Sequence, residues 1–152
     1  MAPPALAQDA AATEVYGDWE LSCQGEPKIC SLSQANVEES SGNVRMRTEI
    51  MRLASGQYLL QLSLPQTVLL TDGPWLTVDG VYIGPLSYIS CAAGCIARTT
   101  YSTGEIQSLI NGTRAVVTVL TVGGQRLGVA MSLSGMKDAI PALDAAATAV
   151  QP

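Results

Sequence analysis

Four cysteines are the residues of this chain best placed for chemistry, and they fall into two close pairs: Cys23 with Cys30, and Cys91 with Cys95. The 152-residue chain contains no histidine. An even number of closely spaced cysteines without histidine is typical of a disulfide framework, and such frameworks persist in oxidising compartments. The sequence therefore predicts structural disulfides in an exported protein.

Two other cysteine chemistries fit the spacing less well. A thioredoxin-type redox site has a CxxC motif in a βαβ unit, whereas three residues separate Cys91 from Cys95. A zinc site has ligand pairs about two to four residues apart, and the interval between Cys23 and Cys30 is wider. Redox and metal roles stay as minor alternatives, and no cofactor or metal is predicted.

The pairing of the cysteines is not fixed by the sequence, because four cysteines allow three connectivities. The local bonds Cys23–Cys30 and Cys91–Cys95 are favoured. The first would close a hairpin, and Gly94 gives the second a permissive backbone for its sharp turn. Loop entropy gives about 2–2.5 kcal/mol of stabilisation for each such small loop.

Histidine-dependent catalysis is excluded by the composition, which removes Ser-His-Asp and Cys-His arrangements. Glu38 and Glu39 form the one adjacent acidic pair, and they lie in a polar segment that predicts a solvated turn. The chain is therefore predicted not to be an enzyme. A histidine-independent envelope hydrolase is the weakest alternative.

Three arginines form a candidate binding patch on an acidic chain of net charge -5. Arg45 and Arg47 share one face of a predicted strand with Glu49, and Arg52 lies close by in the sequence. The functional interpretation is a patch for an acidic ligand or partner, and the alternative is an ordinary solvated strand face. The net negative charge argues against nucleic acid as a partner.

Short alternating segments with Gly and Pro turns predict the elements that must hold these residues. The predicted fold is mainly β, an antiparallel sandwich or barrel-like fold with one short helix and a C-terminal helix. The last helix is predicted to begin near Ser134, as its N-cap, and to kink or restart at Pro141. The predicted strands are residues 16–23, 29–37, 44–50, 58–64, 76–78, 81–89, 96–101, 114–122 and 127–133, and the short helix is 104–110.

Two tryptophans, Trp19 and Trp75, stand in strand-like segments and are predicted to be core aromatics, since the chain has no phenylalanine. An exposed aromatic platform for a glycan or peptide is the alternative. Residues 114–122 are nearly continuously apolar, which predicts a strand covered on both faces.

The chain is predicted to form one domain, residues 15–148, after a disordered segment, residues 1–14. Residues 5–7 of that segment, Ala-Leu-Ala, form an A-x-A pattern that resembles the tail of an export signal. No apolar run reaches the length of a transmembrane helix. The expected state is a monomer or weak dimer.

Several short motifs follow one another along the chain: residues 16–19, the cysteine pair 23 and 30, Gln34, the central segment 64–79, the second cysteine pair with Gly94, and the closing segment 129–139. In this order and spacing they resemble the invasion-associated locus B family. Each motif alone is weak, and the resemblance, which covers residues 15–145, depends on their order and spacing. Met136 departs from it, because an aromatic is expected there.

The resemblance implies a small exported protein of Gram-negative, mostly alphaproteobacterial cells, associated in some pathogens with host-cell invasion. It implies no catalytic residues. The expected function is non-enzymatic binding of an envelope or host protein or glycan, in the periplasm, secreted or at the outer surface. The alternative is an inhibitor or chaperone-like factor for another exported protein.

Overall fold

Eleven strands and two helices form the part of the protein that the computed structural model describes, residues 12–38, 45–65 and 67–150. The strands are β1 (Ala12–Tyr16), β2 (Trp19–Gln24), β3 (Ile29–Val37), β4 (Arg45–Arg52), β5 (Tyr58–Leu64), β6 (Trp75–Val78), β7 (Val81–Pro85), β8 (Ser87–Cys91), β9 (Cys95–Tyr101), β10 (Arg114–Leu120) and β11 (Arg126–Ser132). The helices are α1 (Thr103–Asn111) and α2 (Met136–Val150).

The strands form two antiparallel sheets that pack as a sandwich. The large sheet has the order β1-β2-β3-β4-β5-β9-β8, and the small sheet has the order β11-β10-β6-β7. Strands β11 and β3 touch across the interior, and α2 covers β2 and β3 beside them. The predicted mainly β, antiparallel fold with two helices is confirmed, and of the two predicted architectures it is the sandwich.

One hydrophobic core lies between the sheets because the strands alternate buried and less buried residues. Strand β5 shows the pattern most clearly, with every second residue from Tyr58 to Leu64 buried. A buried leucine or isoleucine contributes about 1.5–3 kcal/mol relative to an exposed one. The small sheet and α2 complete the core with Leu76, Val78, Ala115, Val117, Val119, Val129, Met131, Met136, Ile140 and Leu143.

The helices differ in how they begin. Ser102 caps α1 in a capping box, in which its hydroxyl accepts from the amide of Glu105 and the Glu105 carboxylate accepts from the Ser102 amide. In α2 the carbonyl of Gly135 accepts the first helical hydrogen bond, from Ala139 at 2.8 Å. The N-cap is therefore Gly135 and not Ser134 as predicted. Pro141 lies inside one continuous helix, so of the predicted kink or restart the restart does not occur.

A hairpin replaces the single strand predicted at residues 16–23. Gly17 has φ 60°, a conformation in which glycine is favoured, and it turns the chain between β1 and β2. Strand β1 begins at Ala12, because residues 12–14 pair with β2. The predicted disordered segment therefore does not extend to residue 14, and residues 1–11 lie outside the described part of the chain.

Two glycines meet where this hairpin contacts the start of α2. A Cβ atom on Gly135 would lie 2.7 Å from the amide nitrogen of Gly17 and closer still to the carbonyl of Tyr16. The amide of Asp18 donates to the carbonyl of Ser134 at 3.1 Å beside this contact. The two backbones therefore pack without room for a side chain.

The segment predicted as one strand at residues 81–89 is two strands in different sheets. Strand β7 pairs with β6 of the small sheet, and β8 pairs with β9 of the large sheet. Leu86 joins them with its side chain buried and its amide donating to the carbonyl of Pro74 at 2.7 Å. Strand β10 is buried on one face alone, so the prediction that both its faces are covered is also wrong.

A buried amide side chain closes the gap between β3 and β11. Gln34 is 7% exposed, and its Oε1 accepts from the Ser132 amide at 2.7 Å. Its Nε2 donates to the carbonyls of Ser132 at 3.2 Å and Asp18 at 3.3 Å. Trp19 Nε1 also donates to the Ser132 carbonyl at 3.0 Å. On the edge of β11 that does not face β10, the backbone groups of Ser132 are thus hydrogen-bonded by side chains of the large sheet.

The same arrangement continues two residues further along β3. Asn36 Nδ2 donates to Gln34 Oε1 at 2.6 Å and to the carbonyl of Ala130 at 3.1 Å. Asn36 Oδ1 accepts from the Thr48 hydroxyl at 3.1 Å. Gln34, Asn36, Thr48 and Ser132 form one buried amide network, which fixes how the two sheets lie against each other.

Candidate functional site

Two of the predicted arginines, Arg45 and Arg47, lie beside a groove of about 640 Å³ at one end of the large sheet. Here β3 and β5 end, and β4 and β9 begin. We call this cavity the arginine groove. Its lining is Arg45, Arg47, the apolar residues Val37, Met46, Leu64 and Ile96, and the turn that joins Cys91 to Cys95.

Alternation along β4 places both guanidinium groups in solvent. Met46 is buried and its neighbours Arg45 and Arg47 are exposed, as the sequence predicted for this strand. Across the sheet, Arg47 stands opposite Ala35 on one side and Ser63 on the other. Because both cross-strand neighbours are small, the guanidinium group of Arg47 remains open to a ligand.

Neither guanidinium group of the groove is neutralised by a described residue. Arg45 and Arg47 make no ion pair within the described ranges. The acid on their strand face, Glu49, accepts instead from Gln61 at 3.4 Å. Gln61 in turn accepts from Arg98 at 2.6 Å. The two positive charges are therefore available to an anion.

Arg52 is separated from the other two arginines by the same alternation. It lies on the inner side of β4 and forms an ion pair with Asp144 of α2 at 3.0 Å. Its guanidinium carbon lies 5.8 Å from the centre of the Tyr58 ring. Arg52 thus joins β4 to α2, and the structure does not place it in the predicted patch.

Tyr58 shares the partner of Arg52. Its hydroxyl donates to the two carboxylate oxygens of Asp144 at 2.8 and 3.0 Å. Burial, together with this hydrogen bond, raises the pKa of Tyr58 to about 12 from the ordinary 10.0. Burial alone raises the pKa of Tyr88 to about 12, and it also raises the pKa of Tyr101.

Tyr58→Phe is expected to lower the free energy of unfolding by about 1–3 kcal/mol at neutral pH, because it removes a hydrogen bond to a charged group. The folded protein keeps a proton that the unfolded chain loses near pH 10. The contribution of these tyrosines to stability is therefore fully present below pH 10 and is lost as the pH rises from 10 to about 12. Urea unfolding across this range measures both effects, and Tyr58→Phe should flatten the alkaline decline.

Tyr101→Phe is the matched control. Its hydroxyl is buried and has no hydrogen-bond partner in the described part of the chain. Removing it is expected to leave stability unchanged or to raise it at neutral pH. Equal losses for the two variants would contradict the assigned role of Asp144.

The two disulfides join Cys23 to Cys30 and Cys91 to Cys95, the pairs that the spacing favours. In each pair the two cysteines stand directly opposite each other on neighbouring strands. The first bond lies at one end of the large sheet and the second at the other. The second bond forms part of the wall of the arginine groove and holds its turn.

The ionisable side chains that line the groove, within the described residues, are the two arginines. Arginine stays charged in proteins, so the described residues of the groove can hold an anion but offer no acid or base. The predicted solvated turn is wrong for Glu38, which is 2% exposed, and Glu39 lies outside the described residues. Among the described residues no group of three or more Cys, Asp or Glu is placed to hold a metal.

A family comparison matches residues 19–144 to the family described as "Invasion associated locus B (IalB) protein". The match spans most of the chain. The chain belongs to the IalB family. Its IalB region contains both disulfides, the buried amide network and the arginine groove. The sequence resemblance to this family is therefore confirmed.

A solved structure supports the fold of this IalB chain. The crystal structure of invasion associated protein B from Bartonella henselae matches with a TM-score of 0.78 and 22% identity. The match covers 90% of this chain and 99% of that one. No curated protein matches the sequence. Within the described residues, no helix is both long and apolar enough to cross a membrane.

The motif residues of this IalB chain divide between scaffold and surface. Two residues that carried part of the resemblance belong to the scaffold. Gln34 is the central residue of the amide network, and Gly135 forms the close backbone contact with the hairpin.

Of the two tryptophans, Trp19 is fully buried as predicted. Trp75 is not in the core, because Leu76 takes the inward position and Trp75 points to the outer face of the small sheet. The alternation of Trp75 with Leu76 is the sequence signal that would have shown this.

Proposed function

We propose that this IalB-family protein is an exported, non-enzymatic binding protein that holds an acidic ligand or partner in the arginine groove. The observation that carries the proposal is the pair of guanidinium groups, Arg45 and Arg47, which form no ion pair with a described residue and lie beside a cavity of about 640 Å³. Planar guanidinium groups bind carboxylates and phosphates through paired hydrogen bonds.

The charge of the rest of the molecule supports this proposal. The chain carries a net charge of -5, so most of its surface repels an acidic partner. The two arginines attract such a partner locally and thereby orient it towards the groove. The lining of the groove also includes apolar residues, among them Met46 and Leu64, each 3% exposed. A partner with an acidic group next to an apolar group would use both parts of the groove.

The compartment proposed is the periplasm or the outer surface of a Gram-negative cell. Two disulfides in a small domain accord with an oxidising environment. A role in host-cell invasion, which the family description suggests, would require the binding surface to face envelope or host components. The absence of acid or base groups among the described residues of the groove supports binding instead of catalysis.

Reversing both charges with Arg45→Glu and Arg47→Glu is expected to abolish partner binding without unfolding the protein, because both side chains are exposed. The measurement is a cross-linking pull-down from the native envelope fraction, with quantitative mass spectrometry. Wild type should recover one dominant acidic partner, and the double variant should lose at least about tenfold of it, which corresponds to about 1.4 kcal/mol.

A control variant of equal charge change separates the groove from net charge. Arg114→Glu with Lys137→Glu reverses two exposed cations outside the groove. This control should recover the partner as wild type does, and circular dichroism should show all three proteins folded. Undiminished recovery with the Arg45 and Arg47 variant refutes the groove, and no dominant partner for wild type refutes a binding function.

An inhibitor or chaperone-like factor is the second candidate, favoured by an apolar hollow of about 460 Å³ beside the Cys91–Cys95 bond. Leu70 and Val122 line it and are 54% and 67% exposed. Exposed apolar patches are typical of protein-binding surfaces. In the same pull-down, Leu70→Ser with Val122→Ser would lose the partner under this candidate, while the arginine reversal would keep it.

A further inference from the structure

Two aromatic side chains share the outer face of the small sheet. Tyr82 of β7 stands opposite Thr77 of β6, and Trp75 lies two residues before Thr77 on the same face. A side chain diagonal to its neighbour across two strands is within reach of a large ring. Trp75 and Tyr82 therefore form one aromatic surface on edge strand β7 and its neighbour.

A charged side chain from the far edge of the same sheet reaches this surface. Arg126 of β11 extends across β10, and its guanidinium carbon lies 5.9 Å from the centre of the Trp75 ring. Gly128, two residues along, leaves the sheet surface low at this point. Asp72, in the loop before β6, completes a cleft of about 430 Å³ with Trp75, Tyr82 and Arg126.

Three polar groups of this cleft have no hydrogen-bond partner in the described part of the chain. They are the indole N–H of Trp75, the hydroxyl of Tyr82 and the carboxylate of Asp72. Tyr82 is 59% exposed, so packing does not explain its position. By contrast, Trp19 is fully buried and its indole N–H is bonded to a carbonyl.

We propose that this cleft of Trp75, Tyr82, Asp72 and Arg126 binds a neutral sugar ring. An aromatic surface packs against the C–H groups on the flat face of a pyranose whose hydroxyls are equatorial. The indole N–H of Trp75 and the hydroxyl of Tyr82 remain free at the edges of the two aromatic rings to form hydrogen bonds. The hydroxyls at the ring edge then meet Asp72, which accepts, and Arg126, which donates. The two side-chain charges cancel, so the cleft has no preference for a charged ligand.

The size and position of the cleft agree with this ligand. Its volume lies within the range of small-molecule sites, about 300–1,000 Å³. It shares no residue with the arginine groove, which belongs to the large sheet. The sugar site therefore stands independently of the acidic ligand proposed above and can be tested apart from it.

Tryptophan fluorescence gives a selective measurement, because the chain has two tryptophans and Trp19 is fully buried. Acrylamide should quench Trp75, and millimolar cellobiose or N,N′-diacetylchitobiose should protect it. Tyr82→Ala and Asp72→Asn should each weaken this protection by about tenfold. Amide chemical shifts of the labelled protein should move around the same cleft.

Two controls make the result decisive. Val81→Ala changes an exposed neighbour on β7 outside the cleft and should bind sugar as wild type does. The Arg45→Glu and Arg47→Glu variant should also bind sugar normally, so that failure of one proposal is distinguished from failure of the other. The proposal is overturned if neither disaccharide protects Trp75, or if Tyr82→Ala binds both as tightly as wild type.

Discussion

Replacing Gly135 with alanine is expected to lower the free energy of unfolding by about 2–5 kcal/mol. Two costs combine at this position. Gly135 has φ 90°, a conformation that residues with a side chain rarely adopt. The new Cβ would also overlap the carbonyl of Tyr16 and the amide of Gly17. The hairpin of β1 and β2 would have to move away from α2.

Gly124→Ala is the matched control for this prediction. Gly124 has φ 83°, and a Cβ atom there would meet nothing within 4 Å. The control therefore bears the conformational cost alone, about 1–2 kcal/mol. Urea unfolding of both variants measures the difference. Equal losses at the two positions would show that the hairpin yields freely and that the close contact does not hold it.

Gln34→Leu is expected to lower the free energy of unfolding by about 2–5 kcal/mol while keeping the volume of the side chain. Gln34 uses its amide fully, because Oε1 accepts from Ser132 and Asn36, and Nε2 donates to two carbonyls. Leucine would leave the Ser132 amide and the Asn36 side chain without that partner in a buried site. Each such loss costs about 1–3 kcal/mol.

The control is Gln107→Leu, an exposed glutamine of α1. It should change the free energy of unfolding by less than about 0.5 kcal/mol. Chemical denaturation followed by fluorescence of the buried Trp19 suits both variants, since Trp19 contacts the same Ser132 carbonyl. A Gln34→Leu protein as stable as the control would mean that the two sheets are held by apolar packing alone.

Local sequence patterns predicted most of the strands, because apolar and polar residues alternate along a strand that has one buried face. Residues 29–37 and 58–64 were predicted with the bounds that β3 and β5 have in the structure. The predictions failed where a long-range contact decides the conformation. Gly17 turns the chain next to Gly135, and Leu86 carries it from one sheet to the other.

The candidate site was predictable in part for the same reason. Alternation placed Arg45 and Arg47 on one exposed face, and the structure has them there. Arg52 follows the opposite parity, and the partner that fixes it, Asp144, is far along the chain on α2. The apolar lining of the groove and the cleft around Trp75 both form from strands that are distant in the sequence, so no single segment of the sequence predicts them.

The position of the disulfides across paired strands has a consequence for how the chain matures. A slip of one residue in a strand pairing exchanges every inward side chain with an outward one. Each disulfide joins residues that already face each other, Cys23 with Cys30 and Cys91 with Cys95. Oxidation thus fixes the strand register at both ends of the large sheet, and a chain that has formed both bonds has fewer wrong strand alignments left to sample.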